Sequence, residues 1–242
     1  MHRFYCPAGF AYDTVELTGA EAHHLRQVLR LEVGDEVELF DGRGGHAVGQ
    51  IEAVAKQAAC IRIARRGHKT ESPPCPVILA TAMPKGDRFG WLVEKATELG
   101  VARLIPLITQ RSVVTAGSGK LDKLRRTVIE ACKQCGRNDL MSIDEPVRWS
   151  DVVAKEFDVP HRAILIAHPG GERRRTGEWL VSSAASPQPD VLIAIGPEGG
   201  FADEEIELGQ RHGARLVNLG PHVLRVETAA IAAVVLALKS EE

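Results

Sequence analysis

Three charged side chains near the C-terminal end of the sequence lie in or directly after two loops that contain glycine and proline. Glu198 lies in the segment IGPEGGF at 195–201, and Arg225 and Glu227 lie in the segment LGPHVLRVETA at 219–229. An arginine at such a place can stabilise negative charge that develops on a nucleophile, and a carboxylate can orient a loop or a ligand. The alternative for Arg225 and Glu227 is a solvated ion pair, which is common and contributes little to stability.

The first loop is rich in glycine but differs from the known phosphate-binding loops. It lacks the Gly-Lys-Ser/Thr ending of a triphosphate loop, and its glycines do not follow the spacing Gly-x-Gly-x-x-Gly. The carboxylate of Glu198 would also repel a polyphosphate. We therefore expect a neutral or cationic ligand, for example a sulfonium such as S-adenosylmethionine. A strand-to-helix turn without chemistry is the alternative, but two such loops close together favour a binding site.

Each loop follows a short apolar run and precedes a helix-like segment. The runs at 191–195 and 216–219 are typical of buried strands that end at glycine. We expect these two strands to lie side by side, with both loops at one edge of a sheet, because open parallel sheets bind small molecules at that edge. Asp203 is predicted to cap the helix after the first loop, and Thr228 is predicted to cap the last helix.

Strand-like and helix-like segments alternate from residue 76 to the end of the chain, which predicts an α/β domain with a mostly parallel sheet. The other predicted strands of this domain are 77–82, 104–108 and 163–167, and the other predicted helices are 89–99 and 121–135.

Residues 1–70 have a different pattern, with short strands, turns and one helix at 21–31, which predicts a small barrel or curled sheet. Prolines, glycine and charges cluster at 65–76, so a linker and the domain boundary are predicted there. On the helix, Arg26 and Arg30 are four residues apart and are predicted to share one face, as a phosphate-binding surface requires.

Composition limits the possible classes of protein. The formal net charge of the 242 residues is −2, so contact with nucleic acid must come from a local basic patch. The longest apolar run, 229–238, is too short to span a bilayer, and no apolar signal segment directs export. Five cysteines without framework spacing fit a reducing cytoplasm, and Cys132 and Cys135 are interpreted as core residues rather than metal ligands.

The last helix is apolar almost all round, so it must be buried. Homodimerisation is our interpretation, and burial within a single chain is a close alternative.

The two loops and five other segments together resemble the ribosomal RNA small subunit methyltransferase E family over nearly the whole chain. The five segments are HLRQVLR at 24–30, FDG at 40–42, KGDR at 85–88, KATELGV at 95–101 and QCGR at 134–137.

This resemblance implies a PUA-like RNA-binding barrel at 1–70 and a SPOUT-type methyltransferase domain at 76–242, whose mostly parallel sheet carries a C-terminal trefoil knot. It further implies a cytoplasmic homodimer that binds S-adenosylmethionine in the knot. The implied reaction is methylation of N3 of one uridine near the decoding site of 16S rRNA, on the 30S subunit. Neither a metal nor a membrane is expected, because the cysteine pair lacks two further ligands and the longest apolar run is short.

The resemblance also assigns residues to this site. The cofactor-binding residues would be Ala167, His168, Ile195, Gly196, Pro197, Glu198, Gly199, Gly200, Leu219, Gly220, Pro221, Val223, Leu224 and Arg225. The RNA-binding residues would be His24, Arg26, Arg30, Lys85, Arg88, Arg111 and Arg137. In catalysis, Arg225 would stabilise charge on O2 and O4 of the uracil, and Glu198 or Glu227 would act as the base, with bulk water as the alternative.

Three positions depart from the family pattern. Val226 replaces a usual threonine and removes a hydroxyl beside the cofactor loop, Ala202 replaces a common serine, and Met141 lies near a frequent proline. Two other functions stay open: a SPOUT methyltransferase with another RNA target, such as a tRNA ribose, and a non-catalytic RNA-binding protein.

Overall fold

The computed structural model describes residues 1–68, 76–113, 118–172 and 190–238. The chain divides into two compact units, of which the first comprises Met1–Glu71 and Ile129–Leu140. The second comprises Ser72–Val128 and Met141–Glu242. Residues 129–140 therefore group with the first unit, whereas the sequence assigns them to the second domain.

The first unit contains a five-stranded sheet with the strand order β1-β3-β4-β5-β2. Its strands are β1 His2–Tyr5, β2 Thr14–Thr18, β3 Glu36–Phe40, β4 Gly45–Val54 and β5 Ala58–His68. Register shifts between β4 and β5 add curvature to this sheet. The strand β5 continues to His68, so the predicted linker is wrong for residues 65–68, and residues 69–75 lie outside the described part.

The predicted helix of the first unit is shorter and less regular than its sequence suggests. Helix α1, Gly19–His23, continues as a π-helical turn over His24–Val28. Arg30 lies beyond this turn in the left-handed region, with φ +55°. The prediction that Arg26 and Arg30 share one helix face is therefore wrong, although both side chains are exposed.

Residues 129–140 are tied to β1 and α1 of the first unit by charged side chains. Arg3 of β1 donates to the carbonyl oxygen of Cys132 at 2.8 Å, and Lys133 pairs with Glu21 at 2.6 Å. Cys132 is fully buried, as predicted for a core residue, whereas Cys135 is only half-buried. Burial raises the pKa of Cys132 to about 12, so its thiol stays protonated at neutral pH.

The second unit contains a parallel sheet with the strand order β12-β10-β11-β6-β7-β8, and β9 also pairs with β7. Its strands are β6 Val77–Ala82, β7 Arg103–Ile108, β8 Ser142–Ile143, β9 Val147–Arg148, β10 Ala163–Glu172, β11 Val191–Ile195 and β12 Arg215–Val217. The predicted mostly parallel α/β sheet is confirmed. The prediction that the strands before the two loops are neighbours is wrong, because β10 lies between β11 and β12.

Five helices of the described residues accompany this sheet: α2 Arg88–Glu98, α3 Ser118–Cys135, α4 Trp149–Glu156, α5 Asp203–Arg211 and α6 Val226–Leu238. The end of α3 belongs to the first unit. An aromatic cluster anchors the first loop in the core, since the ring of Trp149 lies 4.9 Å from that of Phe201. Along the parts of the chain that the structure covers, no helix is both long enough and apolar enough to cross a membrane.

Candidate functional site

A cavity of about 440 Å³ lies at the carboxyl edge of the second unit's sheet, among the segments that follow β11 and β12 and the later part of β10. Thirteen of the fourteen residues predicted to bind the cofactor line it, and Arg225 is the exception. The additional lining residues are Arg111, Pro169, Phe201, Asp203, Asn218, His222, Val226 and Ala229. A volume of this size suits a ligand of the size of a nucleoside derivative.

The first loop, 196–201, is a tight turn whose path depends on glycine. A Cβ atom at Gly196 would lie 2.9 Å from Cδ2 of Phe201 and 3.1 Å from its backbone nitrogen. Gly200 has a φ of +71° and donates its N–H to the carbonyl oxygen of Pro197 at 2.8 Å. The loop therefore brings backbone close to the cavity where side chains would block it.

Glu205 stabilises the start of the helix after this loop, a role that the sequence analysis does not predict. Ala202 is the N-cap of α5, so the prediction that Asp203 caps this helix is wrong. Instead, the carboxylate of Glu205 accepts hydrogen bonds from the backbone N–H groups of Ala202 and Gln110, each at 2.9 Å. An acidic residue three positions after the N-cap is a recognised signal for this arrangement.

The loop after β12 is tied to the end of β10 through Asn218, which sequence reasoning also missed. The backbone N–H of Asn218 donates to the carbonyl oxygen of Glu172 at 3.1 Å, and its side-chain amide donates to the carbonyl oxygen of Pro169. Its side-chain oxygen accepts from the N–H of Gly220 at 2.9 Å, a local turn that asparagine favours. Asn218 thus joins the later part of β10 directly to the loop after β12.

Two arginines that are predicted to bind RNA contact the two loop segments within the protein. Arg111 donates to the carbonyl oxygens of Gly199 at 2.8 Å and Phe201 at 3.3 Å. Arg88 donates to Glu198 at 3.4 Å and to Glu227 at 3.3 Å, so it brings two candidate catalytic carboxylates together.

The remaining predicted catalytic residue, Arg225, is exposed and lies immediately before α6. Its carbonyl oxygen accepts from the N–H of Ala229 at 2.8 Å. Because α6 begins at Val226, Thr228 lies inside the helix, and the prediction that Thr228 caps it is wrong. Val226 itself is buried and lines the cavity, so this wall presents an apolar side chain at that position.

The other residues predicted to bind RNA differ in exposure. Lys85 in the second unit and Arg26 and Arg30 in the first unit are exposed, and His24 is half-buried. Arg137 is buried, and its guanidinium donates to the carboxylate of Asp139 at 2.8 Å. This burial argues against a phosphate contact by Arg137, because the charge is already paired inside the first unit.

Comparison with known proteins identifies the family. The family model described as an RNA methyltransferase domain matches residues 71–238, and that described as an RNA methyltransferase PUA domain matches residues 17–64. The ribosomal RNA small subunit methyltransferase E of Synechocystis is 34% identical over 216 residues, which are 89% of this chain and 70% of that relative. The chain belongs to the ribosomal RNA small subunit methyltransferase E family.

Two solved structures resemble this member of the methyltransferase E family over nearly its full length. A Legionella pneumophila structure in complex with the cofactor SAM is 36% identical, with a TM-score of 0.85, and the match covers 97% of this chain and 96% of that one. The Neisseria gonorrhoeae ribosomal RNA small subunit methyltransferase E bound to S-adenosyl methionine is 28% identical, with a TM-score of 0.87 and coverage of 97% and 95%. The expected mostly parallel α/β sheet preceded by a PUA domain is confirmed, and the SPOUT type and the trefoil knot stay predictions.

Proposed function

We propose that this protein uses S-adenosylmethionine to methylate N3 of one uridine in 16S rRNA, on the 30S subunit in the cytoplasm. Membership of the methyltransferase E family supports the reaction class, the cofactor and the small-subunit rRNA target. The choice of uridine N3 comes from the resemblance of the two loops. The observation that carries the proposal is the cavity at which both family-specific loops meet the end of β10.

The residues around this cavity fit S-adenosylmethionine. Gly196, Gly199, Gly200 and Gly220 give the ligand access to the backbone, and Glu198 and Asp203 place carboxylates near a cationic ligand. When bound, the cofactor supplies an electrophilic methyl group on its sulfonium. Catalysis then depends largely on holding the donor and the acceptor in line.

The two candidate bases differ in accessibility. Glu198 lines the cavity and its side chain is 44% exposed, whereas the side chain of Glu227 is 11% exposed. An incoming uracil can therefore reach Glu198 more easily than Glu227. We assign Glu198 to proton acceptance from uridine N3 and Arg225 to the charge that spreads onto O2 and O4.

The two proposed activities, RNA binding and methyl transfer, are assigned to the two domains predicted from the sequence. Residues 1–70 would hold RNA backbone phosphates through exposed side chains such as Arg26 and Arg30, and residues 76–242 would carry out methyl transfer. The target base must leave its stack to reach a cavity of this kind.

Methylation of ribosomal subunits tests the proposed function. Undermethylated 30S subunits, free 16S rRNA and tRNA are each incubated with the protein and isotope-labelled S-adenosylmethionine, and the nucleosides are analysed by mass spectrometry. We expect labelled N3-methyluridine in the 30S sample. Label on a tRNA ribose would support the other methyltransferase function instead. Absence of cofactor binding in calorimetry would contradict the proposed function and favour a non-catalytic RNA-binding role.

We also propose that the protein acts as a homodimer. Helix α6 buries Ala230, Ala233 and Val234 within the second unit, while Ile231 and Val235 stay partly accessible in the single chain. A second copy would cover this remaining apolar surface. Light scattering is expected to give twice the mass of one chain at micromolar concentration, and the mass of one chain there would contradict the homodimer.

A further inference from the structure

Arg88, the first residue of α2, connects two parts of the second unit that are far apart in sequence. One terminal nitrogen, Nη2, lies 3.4 Å from Oε1 of Glu198 in the first loop. The other, Nη1, lies 3.3 Å from Oε1 of Glu227 in the first turn of α6. The side chain is itself held in place, because its Nε donates to the carbonyl oxygen of Lys85 at 3.2 Å.

The charges of Arg88, Glu198 and Glu227 stabilise one another. Two carboxylates converge on one guanidinium, so loss of the cation would leave two like charges facing each other. Glu227 is the more sensitive of the two, because it is buried and its Oε2 has no hydrogen-bond partner among the described residues. A buried carboxylate that loses its counterion is strongly disfavoured. The guanidinium therefore offsets the repulsion between the two carboxylates and keeps the buried one paired.

These two carboxylates belong to two different segments at the cavity, the first loop and the first turn of α6. Glu198 lines the cavity directly, and Glu227 follows Val226, which lines it from the second loop. We propose that Arg88 is a positioning residue for methyl transfer: its guanidinium holds the first loop to the first turn of α6 and thereby fixes the shape of the cofactor cavity. This inference rests on the proposed function, since it gives the cavity to S-adenosylmethionine.

The rival role for Arg88 is the phosphate contact that the family resemblance implies. The two roles predict different losses. A phosphate contact contributes to RNA affinity and to its salt dependence but not to cofactor binding. A positioning residue affects cofactor affinity and the turnover rate, and leaves RNA affinity and its salt dependence unchanged.

The test uses the full-length protein with Arg88→Ala, Arg88→Lys and Glu227→Gln. Arg211→Ala is the matched control, because it removes an arginine from an exposed ion pair with Glu207 in the same unit. Calorimetry measures S-adenosylmethionine binding without RNA, and hydrogen exchange measures opening of residues 196–201 without the cofactor. Filter binding of 30S subunits at several salt concentrations measures how much phosphate contacts contribute to RNA affinity. Circular dichroism checks that each variant is folded.

For Arg88→Ala we expect about tenfold weaker cofactor binding and at least about tenfold slower turnover, because small misplacements of reacting groups are costly. Exchange of the loop amides should accelerate in the absence of the cofactor. Arg88→Lys should recover part of both losses, because it keeps the charge but not the two-nitrogen fork. Glu227→Gln should reproduce part of the loss in cofactor affinity and turnover. In the double variant with Arg88→Ala, the loss in binding free energy should be smaller than the sum of the losses in the two single variants.

Unchanged cofactor affinity and loop exchange in Arg88→Ala, with RNA affinity reduced and its salt slope smaller by about one, would overturn the inference in favour of a phosphate contact. If Arg88→Ala does not fold, Arg88→Lys and Glu227→Gln decide the question by the same measurements. If no RNA is methylated by the wild type but these cofactor and exchange effects appear, the rRNA target is wrong and the positioning role stands.

Discussion

Arg225→Ala is expected to lower kcat for methyl transfer by about a hundredfold to a thousandfold, the usual loss when one group that stabilises an anionic transition state is removed. Uridine N3 must lose its proton during the reaction, and the charge then spreads onto O2 and O4. Arg225 is exposed and directly follows the second cavity loop, so its guanidinium is available to a base that enters from solvent. Cofactor affinity should stay unchanged, because Arg225 lies outside the cavity lining.

Single-turnover kinetics with saturating cofactor and 30S subunits measure this effect, and calorimetry measures cofactor affinity. Arg225→Lys is the informative companion, since it keeps the charge and should recover part of the rate. Arg211→Ala serves again as the surface control. A full methylation rate in Arg225→Ala would exclude the catalytic role, and a loss confined to cofactor affinity would return Arg225 to the cofactor-binding set that the resemblance implies.

Gly196→Val is expected to weaken S-adenosylmethionine binding by about 5- to 150-fold, which corresponds to the cost of about 1–3 kcal/mol for forcing extra atoms into a packed site. Even a single Cβ at this position would lie 2.9 Å from the ring of Phe201 and 3.1 Å from the Phe201 nitrogen. Phe201 is buried against Trp149, so the ring has little room to move away. The loop must therefore open, and the cavity changes shape.

Gly90→Val is the matched control for this substitution. Gly90 lies inside α2, and a Cβ there would have no heavy atom within 4 Å. Valine has a higher helix propensity than glycine, so this variant should bind the cofactor normally and unfold no more easily than the wild type. Calorimetry at equal protein concentrations compares the two variants. Wild-type cofactor affinity in Gly196→Val would contradict the tight-turn explanation for this glycine.

The sequence predicted the strands of the second unit well where a buried apolar run ends abruptly. Both 77–82 and 191–195 agree with the structure at each end, because every residue in these strands is buried and proline, aspartate or glycine lies next to or close to each end. Gly100, with a φ of +87°, closely follows the end of α2, as its position after the helical pattern predicts. The cavity residues were also brought together, because most of them lie in the later part of β10 or at and after the carboxyl ends of β11 and β12.

Features that depend on distant parts of the chain could not be predicted in this way. No local pattern shows that β10 inserts between β11 and β12, since strand order is decided by packing of the whole sheet. The same limit applies to Arg88, whose carboxylate partners lie 110 and 139 positions away. The predicted helix caps were wrong for a different reason, because the helices start one residue and three residues earlier than predicted, which places Asp203 and Thr228 inside them.

The strand order has a consequence for synthesis of the protein. Among the described strands, β10 pairs with β11 on one side and with residues 215–217 on the other, so that second side lacks its strand partner until these residues emerge from the ribosome. Such an open strand is a template for pairing with other nascent chains. Completion of the C-terminal end of the chain therefore protects the protein from aggregation as well as finishing its cavity.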